Sequence, residues 1–195
     1  MKVENKSLYH IHRSEYMNDL WYVGNEFIVD ESYDTFFYLR LLEEEKRLID
    51  RYNDYDIDYI IAIMEEMKSK DVVSEDISYD FDKMLNSYYF LRREKALEEG
   101  RKMFNPSVPS RLHSLFCTEK SDIAYWSKMI GGNLFKIFSL ELDGNIFLSS
   151  DLFLPDKNLL YDIQVEKSKL YWKANINSGD LRKEYLFRGK VKIIK

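Results

Sequence analysis

The spacing of apolar residues changes along the chain. Residues 8–12 and 21–29 carry strand-like runs of apolar and aromatic side chains, and the second run contains a turn at Gly24. From about Thr35 apolar residues recur at every third or fourth position, which predicts amphipathic helices. The positions that share a helix face are Phe37, Leu41, Leu48 and Tyr52, then Ile57, Ile60, Ile61, Met64 and Met67, then Phe81, Leu85, Tyr88 and Leu91. The pattern predicts an extended N-terminal part and a helical insert over about residues 35–103.

Two prolines end the predicted insert. Pro106 and Pro109 restrict the backbone before them, so the helix should stop there and a strand should follow over residues 112–118. Ser121 is expected to cap a further helix that ends at the glycines at positions 131 and 132. The middle of the chain therefore predicts a strand, a turn and a helix in succession.

The last third of the chain is mostly strand-like. Its predicted elements are strands at residues 134–142 and 146–148 joined by a tight turn at 143–145, a helix at 158–174 and a turn at 178–180. A final pair of strands follows, in which Gly189 provides a bulge or a reversal. The predicted order is strands, then a helical insert, then mostly strands. This order predicts an α+β fold and not a regular parallel βαβ fold.

Composition limits the classes of protein that fit. A chain of 195 residues with 45% hydrophobic and 32% charged residues is typical of one folded domain, spanning residues 1–195. The formal charge of −5 argues against broad electrostatic capture of nucleic acid, although a local basic patch stays open. The single Cys117 excludes an internal disulfide framework, and no apolar run approaches the roughly 20 residues that cross a bilayer. We expect a cytoplasmic protein with no membrane partner.

The first candidate for chemistry is the sequence Tyr-His-Ile-His at residues 9–12. On a strand His10 and His12 point to the same side, so that both can contact one ligand. They can equally be ordinary strand residues, or begin a metal site. A metal site needs a further ligand, for which His113 and Cys117 are the remaining histidine and thiol.

The second candidate lies in residues 110–126. The Arg111 guanidinium, next to Ser110, can grip a pyrophosphate at two points, or can serve as a surface or structural ion-pairing group. Phe116, Tyr125 and Trp126 offer aromatic faces on which a cationic ring can stack, although aromatic residues at such spacing are usually core. The residues alone leave both roles open for each of them.

The third candidate is Glu184, which stands at the start of the apolar run before Gly189. A carboxylate in that place can stabilise an oxocarbenium-like transition state, as in glycoside hydrolysis, and can help to deprotonate an acceptor. The alternative is an exposed glutamate of an edge strand.

These three segments, in this order, resemble the His-Tyr-Glu branch of the ADP-ribosyltransferase superfamily. They also resemble an uncharacterised bacterial family assigned to that fold. The resemblance implies split antiparallel β-sheets around an NAD cleft, with the helical segment inserted. It implies that His10 holds the adenosine ribose with His12 beside it, that Phe116, Tyr125 and Trp126 hold nicotinamide, and that Glu184 catalyses. The chain departs from the pattern near Leu115 and Phe116, where the customary tyrosine is absent.

The resemblance implies a mono-ADP-ribosyltransferase that uses NAD as a substrate and modifies a nucleic acid or a protein. Enzymes of this class are often toxins or phage-defence effectors, with an antitoxin or another inhibitory partner. Two alternatives stay open: a catalytically inactive interaction protein of the same fold, and an NAD hydrolase with no macromolecular acceptor. The enzyme hypothesis predicts that His10, Trp126 and Glu184 line one cleft, with the insert near its rim.

Overall fold

The computed structural model describes residues 1–13, 20–51, 57–70, 75–130, 135–173, 176 and 182–195. Within these residues the strands are β1 (Lys2–Arg13), β2 (Glu26–Val29), β3 (Leu115–Cys117), β4 (Phe135–Ser150) and β5 (Lys183–Ile193). The α-helices are α1 (Phe36–Arg51), α2 (Ile57–Ser69), α3 (Glu75–Phe104), α4 (Ile123–Ile130) and α5 (Tyr161–Lys173). Single 3₁₀ turns occupy Lys120–Asp122 and Asp151–Phe153. The element order confirms the predicted α+β class.

The strands form one antiparallel sheet in which β4 and β5 are central. The order is β1-β4-β5-β2, and β3 also pairs with β5, so β3 and β2 follow one another along the same edge of β5. An isolated bridge joins the far edge of β1 to the end of β3 through two hydrogen bonds between Tyr9 and Thr118, at 2.9 and 2.8 Å. The described strands therefore curl around a common interior and do not show the implied split into two sheets.

The interior of the curled sheet is the larger of the two apolar cores. It contains Leu8, Trp21, Val29, Leu115, Cys117, Phe138, Leu140, Leu142, Ile146, Tyr185, Phe187, Val191 and Ile193. The side chains of β1, β4 and β5 that point into this core stand at alternate positions, because successive side chains of a strand point to opposite faces of the sheet. We call this side of the sheet the inner face and the other side the outer face.

The predicted tight turn at residues 143–145 is wrong, because β4 runs straight through it. Gly144 pairs with Gly189 of β5, and a Cβ atom on Gly144 would lie 2.3 Å from the carbonyl oxygen of Arg188. Gly144 thus allows two backbones to approach closely and does not reverse the chain. The predicted bulge or reversal at Gly189 is also wrong: the register stays regular there, and the irregularity lies in β1 near Asn5.

The helical predictions agree better with the structure. Thr35 caps α1 by accepting a hydrogen bond from the backbone N–H of Tyr38 at 3.2 Å, and α3 ends at Phe104, before Pro106, as predicted. The predicted Ser121 cap is wrong, because Ser121 lies inside the 3₁₀ turn. The helix predicted over residues 158–174 begins only at Tyr161. Some of the predicted positions lie outside the described residues: Tyr52, residues 131–134 and 174, and the turn at 178–180. The same is true of the side chains of Phe37, Leu48 and Ile57.

Helices α3 and α5 cover the outer face and build the second core. Its fully buried members are Leu97, Tyr171, Trp172 and Leu186, with Phe116 and Phe147 packed against them. The two helices approach closely at Gly100, where a Cβ atom would lie 1.7 Å from Ser168 Oγ. No helix in the described ranges is long and apolar enough to traverse a bilayer.

Candidate active site

Glu184 lies at the start of β5 on the outer face, beneath the helices. Its carboxylate is 5% exposed, and Leu186, two residues further along the same face, belongs to the second core. Arg111 Nη1 and the Tyr171 hydroxyl both donate hydrogen bonds to Glu184 Oε1. An ionised carboxylate is tolerated in such a place only because it is paired and hydrogen-bonded.

Arg111 connects Glu184 to the helical layer. Its Nε donates to Glu94 Oε2 on α3 at 2.8 Å, and its Nη1 also donates to the Tyr171 hydroxyl at 2.7 Å. The guanidinium lies 5.0 Å from the centre of the Phe116 ring and 4.9 Å from that of Tyr171. Burial disfavours its charge, but the Glu184 and Glu94 carboxylates prevail and hold the pKa of Arg111 well above its usual value. Arg111 is therefore a permanent cation that fixes two carboxylates.

The sequence prediction for Arg111 as a pyrophosphate contact does not fit this geometry. Its side chain is 6% exposed and is already bound to Glu94, Tyr171 and Glu184, so its alternative role as a structural ion-pairing group describes it better. Ser110 is also engaged within the protein, because its hydroxyl donates to Glu98 Oε2 at 2.7 Å. A ligand would have to displace these contacts to reach either residue.

The predicted aromatic pair on α4 lies next to the start of β5. The rings of Tyr125 and Trp126 meet edge to face with centres 5.1 Å apart, and Trp126 Nε1 donates to the carbonyl oxygen of Lys183 at 2.9 Å. The guanidinium of Arg182 lies 4.8 Å from the centre of the Tyr125 ring. Both aromatic residues are thus tied to the residues that precede Glu184.

The Tyr125 hydroxyl donates a hydrogen bond to Asp151 Oδ2, at the end of β4. Burial raises the pKa of Tyr125 to about 12, and the Asp151 hydrogen bond and the negative charge of Glu184 act in the same direction. The phenol therefore stays protonated and donates to Asp151. Glu184, Tyr125, Trp126 and Asp151 form one cluster, which we call the β5 entry site.

Comparison with known proteins adds one finding. Residues 8–195 match the model of a family described as "Protein of unknown function (DUF2441)". The chain belongs to this family. No curated protein matches it.

In this DUF2441 chain His10 and His12 lie elsewhere, on the inner face. His10 stacks on Trp21 with ring centres 4.4 Å apart, and its Nδ1 lies 2.8 Å from the carbonyl oxygen of Phe116. His12 Nδ1 lies 3.3 Å from His10 Nε2, and the His12 ring also contacts Trp21 at 4.6 Å. Burial lowers the pKa of His10 to about 4, against the effect of the Phe116 hydrogen bond and with a further lowering by His12. The stack holds His10 neutral.

The prediction that His10, Trp126 and Glu184 line one cleft is therefore wrong. Trp126 is bonded to the carbonyl oxygen of Lys183, the residue before Glu184, but the side chains of His10 and Glu184 lie on opposite faces of the sheet. The reason is register: His10 follows Leu8 on the inner face, whereas Glu184 precedes Leu186 on the outer face. A shift of one residue in a strand exchanges the two faces, and the sequence does not reveal which face is which.

Sequence reasoning assigned no role to five residues near the site or the histidines: Trp21, Glu94, Asp151, Tyr171 and Arg182. Glu94 had a readable signal, because it lies three residues from both Leu91 and Leu97 on the apolar side of α3, where an acid needs a buried partner. Arg111 is that partner. As for metal binding, the described residues contain no group of three or more His, Cys, Asp or Glu side chains placed to hold an ion.

Proposed function

We propose that this DUF2441 protein is an NAD-consuming ADP-ribosyltransferase whose active centre is the β5 entry site. The observation that carries the proposal is the Glu184 carboxylate, held at the start of the last strand by Arg111 and Tyr171 with the Tyr125–Trp126 pair beside it. An ADP-ribosyltransferase-like fold is part of the proposal. The α+β class and the antiparallel pairing of the described strands support it.

The chemistry of NAD cleavage suits this arrangement. Loss of nicotinamide develops positive charge on the ribose, and a fixed carboxylate stabilises that charge more in the transition state than in the ground state. Both hydrogen bonds that described residues donate to Glu184 reach Oε1, so we assign Oε2 to the ribose. Tyr125 and Trp126 supply aromatic faces for the cationic nicotinamide ring. His10 has no part in this site, because it lies on the inner face.

Nicotinamide release from NAD tests the proposal. Glu184→Gln removes the negative charge but keeps the shape and an acceptor for Tyr171. We expect the rate to fall by about 10² to 10³-fold, the range measured when one group that stabilises transition-state charge is removed. Glu166→Gln, at an exposed position of α5, is the matched control and should retain the wild-type rate. Thermal unfolding of each variant separates lost chemistry from lost folding.

Two results would contradict the proposal: a wild-type protein that does not bind NAD, and a Glu184→Gln variant as active as Glu166→Gln. Labelled NAD incubated with protein and nucleic acid then shows where the ADP-ribose goes. Label on a macromolecule identifies a transferase and the class of its acceptor. Free labelled ADP-ribose alone identifies an NAD hydrolase.

One observation favours a second function, that of a catalytically inactive interaction protein. Glu184 is 5% exposed and already neutralised by a guanidinium, an arrangement that also serves to join β5 to the helices. The same experiment decides between the two functions. Absence of NAD binding by the folded wild-type protein would support the interaction protein.

A further inference from the structure

Asp151 is the residue of the β5 entry site to which the proposed reaction assigns no role. In the β4–β5 ladder Ser149 pairs with Glu184 and Ser150 pairs with Lys183, and Asp151 is the next residue. The Ser150 hydroxyl accepts a hydrogen bond from the backbone N–H of Leu152 and so fixes the 3₁₀ turn that begins at Asp151. The carboxylates of Asp151 and Glu184 therefore stand at the same end of neighbouring strands.

The two oxygens of Asp151 have different surroundings. Oδ2 accepts the hydrogen bond from Tyr125, whereas Oδ1 is buried without a hydrogen-bond partner among the described residues. A buried carboxylate oxygen with no partner is unfavourable, and its presence needs an explanation such as strain, a bound water or ion, or a catalytic role. Asp151 follows the Ser150–Lys183 pair in the ladder and accepts its hydrogen bond from Tyr125, whose ring contacts Trp126, so its unpaired oxygen lies within the β5 entry site.

We propose that Asp151 is the general base of the reaction, and that its Oδ1 accepts the proton of the attacking hydroxyl group. This inference rests on the proposed function. In the step, the bond between the ribose C1′ and the nicotinamide nitrogen breaks, and its electron pair leaves with neutral nicotinamide. The acceptor oxygen forms a bond to C1′ and gives its proton to Asp151, which later releases it to solvent. The acceptor is an alcohol or water.

The environments of the two carboxylates divide the roles. Glu184 is bound by the Arg111 guanidinium, which suits an anion that stabilises a developing cation without changing its own charge. Asp151 is held by a neutral phenol, and one of its oxygens is unpaired, which suits a group that takes up a proton. Pairs of carboxylates with different environments divide acid–base and electrostatic roles in the same way in glycoside hydrolysis.

Rescue by azide tests this role. Asp151→Asn should bind NAD within about twofold of wild type, because the substitution keeps the Tyr125 hydrogen bond. Its rate of nicotinamide release should fall by about 10² to 10⁴-fold, the usual contribution of a general base. Sodium azide attacks without needing deprotonation, so it should restore the rate at least tenfold and yield ADP-ribosyl azide, detected by mass spectrometry. Glu184→Gln should gain nothing from azide, and Asp162→Asn, exposed on α5, should behave as wild type.

Each outcome decides the inference. If wild type cleaves NAD and Asp151→Asn is as fast as Asp162→Asn, Asp151 is not the base, although the proposed function survives. Loss of NAD binding, or a slow variant that azide does not rescue, assigns Asp151 a binding or structural role and also overturns the inference. Failure of the wild-type protein to cleave NAD removes the proposed function and the inference together. If Asp151→Asn unfolds below the assay temperature, Asp151→Ser takes its place under the same criteria.

Discussion

The two faces of β5 are stabilised by different physics. On the inner face Phe187, Val191 and Ile193 are fully buried among other apolar side chains. On the outer face Glu184 is almost as deeply buried, but its neighbours are a guanidinium and a phenol. One strand thus separates an apolar core from a buried ionic network, and adjacent residues of the same strand belong to one or the other.

The difference predicts how each face fails. Truncating an apolar side chain removes contacts and leaves a cavity, so the loss of unfolding free energy grows with the volume of that cavity. Removing one member of an ionic network leaves its partners charged and buried, so the loss of unfolding free energy depends on the charge that is left without a partner. Removing one residue from the outer-face network should therefore lower the free energy of unfolding more than truncating one apolar residue of the inner face. This holds even though an ionic network of this kind adds little net stability compared with apolar groups.

Arg111→Ala should have the largest effect on stability. Without the guanidinium, Glu94 keeps only its ion pair with Arg93. Glu184 keeps only its hydrogen bond from Tyr171. We expect the free energy of unfolding to fall by about 3 to 5 kcal/mol. Chemical denaturation monitored by tryptophan fluorescence measures this change. Arg188→Ala is the matched control, because its ion pair with Glu31 is exposed and should contribute less than about 1 kcal/mol.

A double variant sharpens this prediction. If unpaired charge is the cause, Arg111→Ala combined with Glu184→Gln should be more stable than the sum of the two single losses predicts, since the second change removes one of the unpaired carboxylates. Strict additivity would show that Arg111 acts by packing on Phe116 and Tyr171 and would contradict the charge-based account of the outer face.

The sequence predicts the helical part of this fold better than the sheet. The end of α3 is set by local chemistry, because proline excludes helix, and the apolar spacing around Ile60 and Ile61 is also local. Gly144 shows the limit: Asp-Gly-Asn is a typical turn sequence, yet the close approach of Arg188, 44 residues away, keeps it in a strand. A distant backbone cannot be seen in a local pattern.

The candidate site shows the same limit. The sequence singles out Glu184, Tyr125 and Trp126, and the structure places the contacting rings of Tyr125 and Trp126 against Lys183, the residue before Glu184. It does not reveal that His10 faces the other way, because that depends on the pairing of β1 with β4. Asp151 was missed because its partner, Tyr125, is 26 residues away on another element.

Leu140→Ala tests the inner face and should have the next largest effect. Leu140 is fully buried between Leu8 of β1 and Ile193 of β5, so its loss should lower the free energy of unfolding by about 2 to 4 kcal/mol. Ile28→Ala, which truncates a side chain that is 69% exposed, should cost less than about 0.5 kcal/mol. A loss at Leu140 no larger than that at Ile28 would show that the curled interior is not a packed core.

His10 is a titratable residue of the inner face, and it predicts the smallest effect. Its pKa is about 4 in the folded protein and about 6.5 when unfolded, so the unfolded state binds a proton first as the pH falls. Its neutral form therefore stabilises the fold fully above about pH 6.5, and this contribution is lost as the pH falls toward 4. Because the ring is only partly buried, we expect a loss on the order of 2 kcal/mol between pH 7 and 4.5.

The chosen pH window separates His10 from the ionic network of the outer face. The Arg111 and Arg93 guanidinium groups lower the pKa of Glu94 against the effect of burial, so Glu94 loses its contribution only below about pH 4.5. His10→Gln should therefore flatten the stability profile between pH 6.5 and 4.5, while His113→Gln leaves it steep. An unchanged slope in His10→Gln would place the acid sensitivity elsewhere, and the inner face would then contribute to stability through packing alone.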